Sequence, residues 1–105
     1  MNHLPTSITV DQVPPIKMYD QDFRKEVAVM YNAAMKHDCA GELAKSPPDI
    51  VFMLCNMDWM DKISNDPDVL ACGHSGATEA LCFRYVRAIL TGSVKLLPFE
   101  NHHQD

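Results

Sequence analysis

The hydrophobic positions that follow residue 20 repeat with the period of a helix. Apolar residues occur at spacings of i, i+4, i+7 and i+11, namely Phe23, Val27, Met30 and Ala34. Charged residues occupy positions between them, so the apolar side chains share one face of an amphipathic helix. The pattern predicts a helix of about five turns over residues 20–37.

The segment 46–63, SPPDIVFMLCNMDWMDKI, predicts a second helix, which we name the Met/Trp helix. Ser46 is a good capping residue, and Pro47 suits the first helical position. Apolar residues surround most of this helix, so it needs cover on two sides. In so short a chain, we expect one side to face the fold and the other to face a second chain. The candidate interface residues are Phe52, Met53, Met57, Trp59, Met60 and Ile63.

Two further helices are predicted in the second half of the chain. Asp66 as cap, Pro67 as first residue and Gly73 as stop indicate a short helix. A last helix is expected over residues 77–91, because Gly92 follows it as a stop signal. Its apolar side is expected to consist of Leu81, Cys82, Tyr85, Val86 and Ile89. Gly41 is expected to mark a loop or a break.

The two ends of the chain predict extended arms around one helical domain. Residues 1–17 contain three prolines and are expected to be extended or loosely ordered, with a possible short strand near Ile8 and Val13. Residues 93–105 return to extended chain and end in a polar tail. The fold class is therefore all-α, a helical domain over residues 18–92 with three to four helices. The predicted core residues are Phe23, Val27, Met30, Ala34, Ile50, Leu54, Leu81, Tyr85 and Ile89.

Composition narrows the class of protein. A chain of 105 residues that is 47% hydrophobic fits one globular domain. The net charge of −5, without a cluster of Lys or Arg, predicts no direct binding to nucleic acid. No apolar run approaches about 18 residues, so we expect no membrane span, and we find no signal peptide. We therefore expect a cytoplasmic protein whose four cysteines are thiols.

The stretch ACGHSGA at residues 71–77 imitates an enzyme motif without completing it. A nucleophile elbow needs G-x-S-x-G after a buried strand, whereas Ala77 stands at the last glycine and a helix start precedes the stretch. We expect Ser75 or Gly76 to cap the last helix instead. A nucleophilic Ser75 or Cys72 remains a weaker alternative, and the sequence predicts a protein that is not an enzyme.

A structural zinc site is the main alternative to a protein interface. His37 and Cys39, together with Cys72 and His74, supply the two thiols and two imidazoles of a tetrahedral site. The spacing of one residue within each pair is unfavourable, because neighbouring side chains on a regular element diverge. We therefore predict no metal and no cofactor, and retain a small zinc-binding adaptor as the alternative function.

The Met/Trp helix favours a protein partner. Met side chains are flexible and polarizable, and Met and Trp are enriched in the cores of interfaces. Trp59 is the only tryptophan of the chain and is the residue type that most often dominates binding energy. The helix therefore predicts a protein–protein interface and a homodimer.

Two segments resemble a known family of regulators. They are SPPDIVFMLCNMDWMDKI at residues 46–63 and LCFRYVRAILTGSVKLLP at residues 81–98. With the acidic charge and the length, they resemble the QslA-type anti-activators of LuxR-type quorum-sensing receptors. Those are short bacterial helical proteins that dimerise, bind the ligand-binding domain of the receptor, and prevent it from dimerising and binding DNA. The resemblance implies regulation of transcription by occlusion of another protein, without catalysis, and assigns no role to an individual residue.

Overall fold

The structure is a computed structural model that describes residues 4–16, 21–47, 58–73 and 75–98. A 3-10 turn at Val10–Gln12 precedes the helices. They are α1 (Gln21–Lys36), α2 (Ala40–Lys45), α3 (Asp58–Ser64), α4 (Pro67–Leu70) and α5 (Gly76–Leu90). The described ranges contain no β-strand, so the all-α prediction is confirmed and the strand considered near Ile8 does not form. None of the helices in these ranges is long and apolar enough to cross a bilayer.

Helix α1 lies at the centre of the fold. It contacts every other described helix and the 3-10 turn of the N-terminal arm. The predicted face is buried as expected, and a second set of side chains on α1 is buried as well. The buried residues are Phe23, Val27, Ala28, Met30, Tyr31, Ala33 and Ala34. Because burial extends beyond one stripe, α1 requires neighbours on several sides.

The break after α1 lies three residues before the predicted position. Asp38 has a φ of 59°, in the left-handed region that ends helices, and α2 begins at Ala40. Gly41 is therefore part of α2, and the prediction of a break there was wrong. Ser46 ends α2, since its N–H donates to the carbonyl of Leu43 at 3.1 Å. Pro47 is not helical, so the Met/Trp helix does not begin there with Ser46 as its cap, as predicted. Residues 48–57 lie outside the described residues, and α3 covers the last part of the predicted segment.

The last two helices begin and end where the sequence predicts. Asp66 caps α4 by accepting a hydrogen bond from the N–H of Asp68 at 2.9 Å. Ser75 caps α5 by accepting from the N–H of Thr78 at 3.3 Å. Gly73 and Gly92 follow the two helices with φ values of 65° and 88°, which glycine adopts without steric cost.

Helix α5 is rotated relative to the prediction. Its buried residues are Ala80, Cys82, Phe83, Val86 and Ile89. Leu81 and Tyr85, predicted to be core residues, are only half-buried. The difference arises because α5 packs against both α1 and α2, so its inner face is centred on Phe83. Ile50 and Leu54 lie outside the described residues.

The N-terminal arm is held against α1 by polar side chains. Asn32 accepts from the N–H of Ile8 at 2.7 Å and donates to the carbonyl of the same residue at 3.0 Å. Tyr31 donates its hydroxyl to the carbonyl of Pro5 at 2.7 Å, and Arg24 donates to the carbonyl of Val13 at 3.0 Å. Burial raises the pKa of Tyr31 to about 12, which keeps this hydroxyl protonated as a donor. Residues 4–16 are therefore docked on α1 rather than loosely ordered.

We expect Asn32→Ala to destabilise the protein by about 2 kcal/mol, because it leaves both backbone groups of Ile8 without their partner in a half-buried site. Urea unfolding followed by circular dichroism measures the change. Asn65→Ala is the matched control, since Asn65 is exposed and bonds only within its own turn, to the carbonyl of Asp61. Equal losses in the two variants would show that the arm contact does not stabilise the fold.

Candidate functional site

A buried carboxylate joins α1 to α4. Asp66 has a side chain with 0% exposure, and its Oδ2 accepts from Lys36 Nζ at 2.6 Å and from His37 Nε2 at 2.8 Å. Burial favours the neutral acid and by itself raises the pKa of Asp66. The hydrogen bonds from Lys36, His37 and the N–H of Asp68 outweigh burial and hold the pKa at about 2. The carboxylate is therefore ionised at neutral pH and fixes α4 on α1.

A groove of about 360 Å³ runs beside this carboxylate, between α1 and α4. Lys25, Lys36, Asp66 and Asp68 contribute its charges, and Cys72 lines one end. Charges of both signs share the groove, and Lys36 and Asp66 already neutralise each other. The groove therefore contributes to the docking of α4 rather than presenting a surface of one charge.

The cysteines predicted as zinc ligands or nucleophiles have other neighbours. Cys39 is buried, and its thiol donates to the carbonyls of His37 and Trp59 at 3.3 and 3.4 Å. Cys72 donates to the carbonyl of Asp68 at 3.6 Å. Burial raises the pKa of both thiols, which lowers the thiolate fraction that metal binding and nucleophilic attack require.

The other two predicted zinc ligands are the imidazoles of His37 and His74. His37 donates from Nε2 to Asp66, while His74 lies outside the described residues. Over the part of the chain that the structure describes, no three His, Cys, Asp or Glu side chains are grouped so as to hold a metal ion. The contacts of His37 and Cys39 are those of a helix end and a packed thiol, and the zinc alternative stays a prediction.

The structure places three of the six predicted interface residues. Met60 and Ile63 each have 0% exposure, because they lie on the face of α3 that packs into the core. Two side chains without exposed surface stabilise the fold and cannot contact a partner, so the interface prediction does not hold for them. Trp59 is half-buried at the edge of the core and remains a candidate. Phe52, Met53 and Met57 lie outside the described residues.

A second groove, of about 390 Å³, lies between α1 and α5. We name it the α1–α5 groove. Five of its lining residues are apolar or aromatic, and the other two are arginines. The described residues that line it are Ile16, Phe23, Leu81, Arg84, Tyr85, Arg87 and Ala88.

Helix α5 presents a second apolar stripe to this groove. Leu81, Tyr85 and Ala88 follow i, i+4 and i+7 spacing, and all three are half-buried. The ring of Tyr85 packs edge-on against Phe23, with centroids 6.4 Å apart and an interplanar angle of 75°. The stripe is therefore fixed in place and incompletely covered by the described residues of the chain.

The apolar pattern of α5 indicates this groove, but the prediction of a single apolar side for the helix did not identify it. Apolar residues from Ala80 to Leu90 occupy more of the circumference than one face requires. Phe83 takes the centre of the buried face, which leaves Leu81 and Tyr85 at its margin. Only the packing of α5 against α1 and α2 decides which apolar residues become the margin.

We expect Asp66→Asn to lower the free energy of unfolding at pH 7 by on the order of 1–2 kcal/mol, because the amide keeps the cap but loses the charge that pairs with Lys36. The folded pKa of Asp66 lies below the unfolded value, so this contribution is present above about pH 4 and is lost as the pH falls towards about 2. Urea unfolding at pH 7, 4, 3 and 2 measures it as the difference between the native protein and the variant.

Asp61→Asn is the control for that series, because Asp61 lies exposed on α3. A difference between native protein and Asp66→Asn that stays constant down to pH 2 would contradict the assigned pairing.

Comparison with known proteins returns no relative that would settle the family. The chain matches no protein-family model, no curated protein and no solved structure.

Proposed function

We propose that this protein is a small regulator that acts by binding another protein stoichiometrically, without catalysis. The observation that carries the proposal is the α1–α5 groove, an incompletely covered apolar surface between two fixed helices. Its apolar floor and charged rim have the composition of a protein interface, in which aromatic residues and arginine are enriched. Half-buried Trp59 on α3 supplies a further aromatic side chain of the same kind.

The partner we propose is a LuxR-type transcriptional regulator, in line with the resemblance to QslA-type anti-activators. The second resembling segment, residues 81–98, includes the half-buried stripe of α5, so the resemblance and the groove point to the same helix. Binding there would cover a surface that the receptor needs for its own dimerisation and so prevent DNA binding. We further propose that the protein acts in the cytoplasm and is a homodimer.

We expect Leu81→Asp to abolish partner capture, because a charge in the groove would have to be desolvated on binding. The native protein and the variant serve as baits in the native host, and retained proteins are identified by mass spectrometry. Leu70→Asp is the matched control, since Leu70 is 60% exposed on α4 and does not line the groove. A partner retained equally by Leu81→Asp would contradict the proposed surface.

The anti-activator form of the proposal has its own test. The captured regulator is purified and bound to its DNA site, and this protein is titrated into the complex. We expect the DNA complex to disappear near one equivalent of native protein and to persist with Leu81→Asp. A ternary complex that keeps the DNA would contradict occlusion while leaving protein binding intact.

Dimerisation is measured by size-exclusion chromatography with light scattering. We expect a mass near twice the 11.8 kDa of one chain, and a shift towards the single-chain mass for Trp59→Ala. Truncation of a partly exposed Trp removes a large contact area, while its backbone carbonyl still accepts from Cys39. A native mass of one chain at micromolar concentration would contradict the homodimer.

A further inference from the structure

The α1–α5 groove carries positive charge on an acidic protein. The chain has a formal charge of −5, yet the two charged residues among the described lining of the groove are both arginines. No acidic side chain is among the described residues that line it. This described lining therefore differs in sign from the chain as a whole.

Arg84 and Arg87 differ in their hydrogen bonds to the described residues. Arg87 donates from Nε to the carbonyl of Ser46, which ties it to the end of α2. Arg84 is exposed and makes no hydrogen bond or ion pair with the residues that the structure describes. Its guanidinium therefore keeps all five donors for a ligand, in the planar arrangement that matches a carboxylate.

The groove is suited to a helix rather than to an extended strand. Its described lining comes from helices and the arm, and the described chain contains no sheet edge that would supply backbone partners to an added strand. A helix satisfies its own backbone hydrogen bonds and needs only side-chain contacts. The stripe from Leu81 to Ala88 rises about 10 Å, or two turns, which matches apolar side chains spaced i, i+4 and i+7 on a facing helix.

We propose that the α1–α5 groove binds an amphipathic helix of the partner, whose apolar side chains pack on Leu81, Tyr85 and Ala88 and whose acidic residue pairs with Arg84. The inference rests on the proposed function and names the chemistry of the partner's segment. The apolar contacts supply most of the affinity, and Arg84 selects for negative charge. Because Arg84 lies at the exposed rim, its contribution weakens as salt screens it.

The test uses fluorescence anisotropy with labelled model peptides of about 15 residues, each an amphipathic helix with Leu at i, i+4, i+7 and i+11. One peptide carries Glu beside the apolar stripe, and a second carries Lys at the same positions. We expect the native protein to bind the Glu peptide about 10-fold more tightly than the Lys peptide at low salt, with the ratio shrinking at high salt. Arg84→Glu should reverse this preference.

Three variants separate charge from packing. Lys95→Glu makes the same charge change at an exposed residue outside the groove and should alter neither affinity more than twofold. Leu81→Asp should abolish binding of both peptides at every salt concentration. Ala88→Leu fills the groove without adding charge, so it should weaken the binding of both peptides equally. This variant keeps the test valid if Leu81→Asp fails to fold.

Each other outcome overturns the inference in a recognisable way. If the protein binds both peptides equally, and binding is unchanged by Arg84→Glu but lost in Ala88→Leu, the groove binds helices without a preference for acidic residues. If neither Leu81→Asp nor Ala88→Leu weakens peptide binding, the peptides bind at a site other than the groove. Preferential binding of duplex DNA or anionic vesicles that depends on Arg84 but not on Ala88 indicates a polyanion surface instead. Partner capture by the full chain tests the proposed function separately, because it does not depend on the helical form or the charge of the bound segment.

Discussion

The enclosure of α1 governs how the other described elements are arranged. Seven of its residues are buried, and they extend well beyond a single stripe. Burial of each large side chain, such as Val27, Met30 or Tyr31, contributes roughly 1.5–3 kcal/mol, so every side of the helix that carries one must be covered. The other described helices are short, apart from α5, and none of them is in contact with as many neighbours. The N-terminal arm supplies part of this cover, since it contacts α1 and is bonded to Tyr31 and Asn32.

Polar contacts decide how the neighbours of α1 are oriented. Asp66 does so for α4, since its carboxylate caps that helix and also pairs with Lys36 and His37 at the end of α1. Asn32 orients the arm, because its side-chain amide accepts from the N–H of Ile8 and donates to the carbonyl of the same residue. Apolar burial is non-directional, whereas these bonds require defined geometry. Together, these bonds fix α4 and the N-terminal arm in their positions on α1.

The same arrangement explains why a groove exists beside α5. This helix places Phe83 towards α1 and α2, and its wide apolar arc then exceeds the surface that those helices cover. Leu81, Tyr85 and Ala88 remain half-buried at the margin, next to Phe23 and Ile16. A contiguous apolar margin of this kind is a typical feature of surfaces that contact other molecules, and Arg84 beside it pairs with none of the described residues. The site is therefore a consequence of how the core is built.

The sequence by itself determined the positions of α1, α4 and α5, because their apolar period and their signals at Asp66, Pro67, Ser75 and Gly92 act over one or two turns. It also predicted that the Met/Trp helix is too apolar to be covered by the fold, and most of that segment lies outside the described residues. Which apolar residues of α3 and α5 are buried follows from the packing of the helices. Met60 and Ile63 look like interface residues in the sequence, yet both are completely buried in the core. Leu81 and Tyr85 look like core residues, yet they are left at a margin. Periodicity states that a side chain is apolar and on which side of its helix it lies, whereas the rotation of that helix depends on contacts with residues far away in the chain.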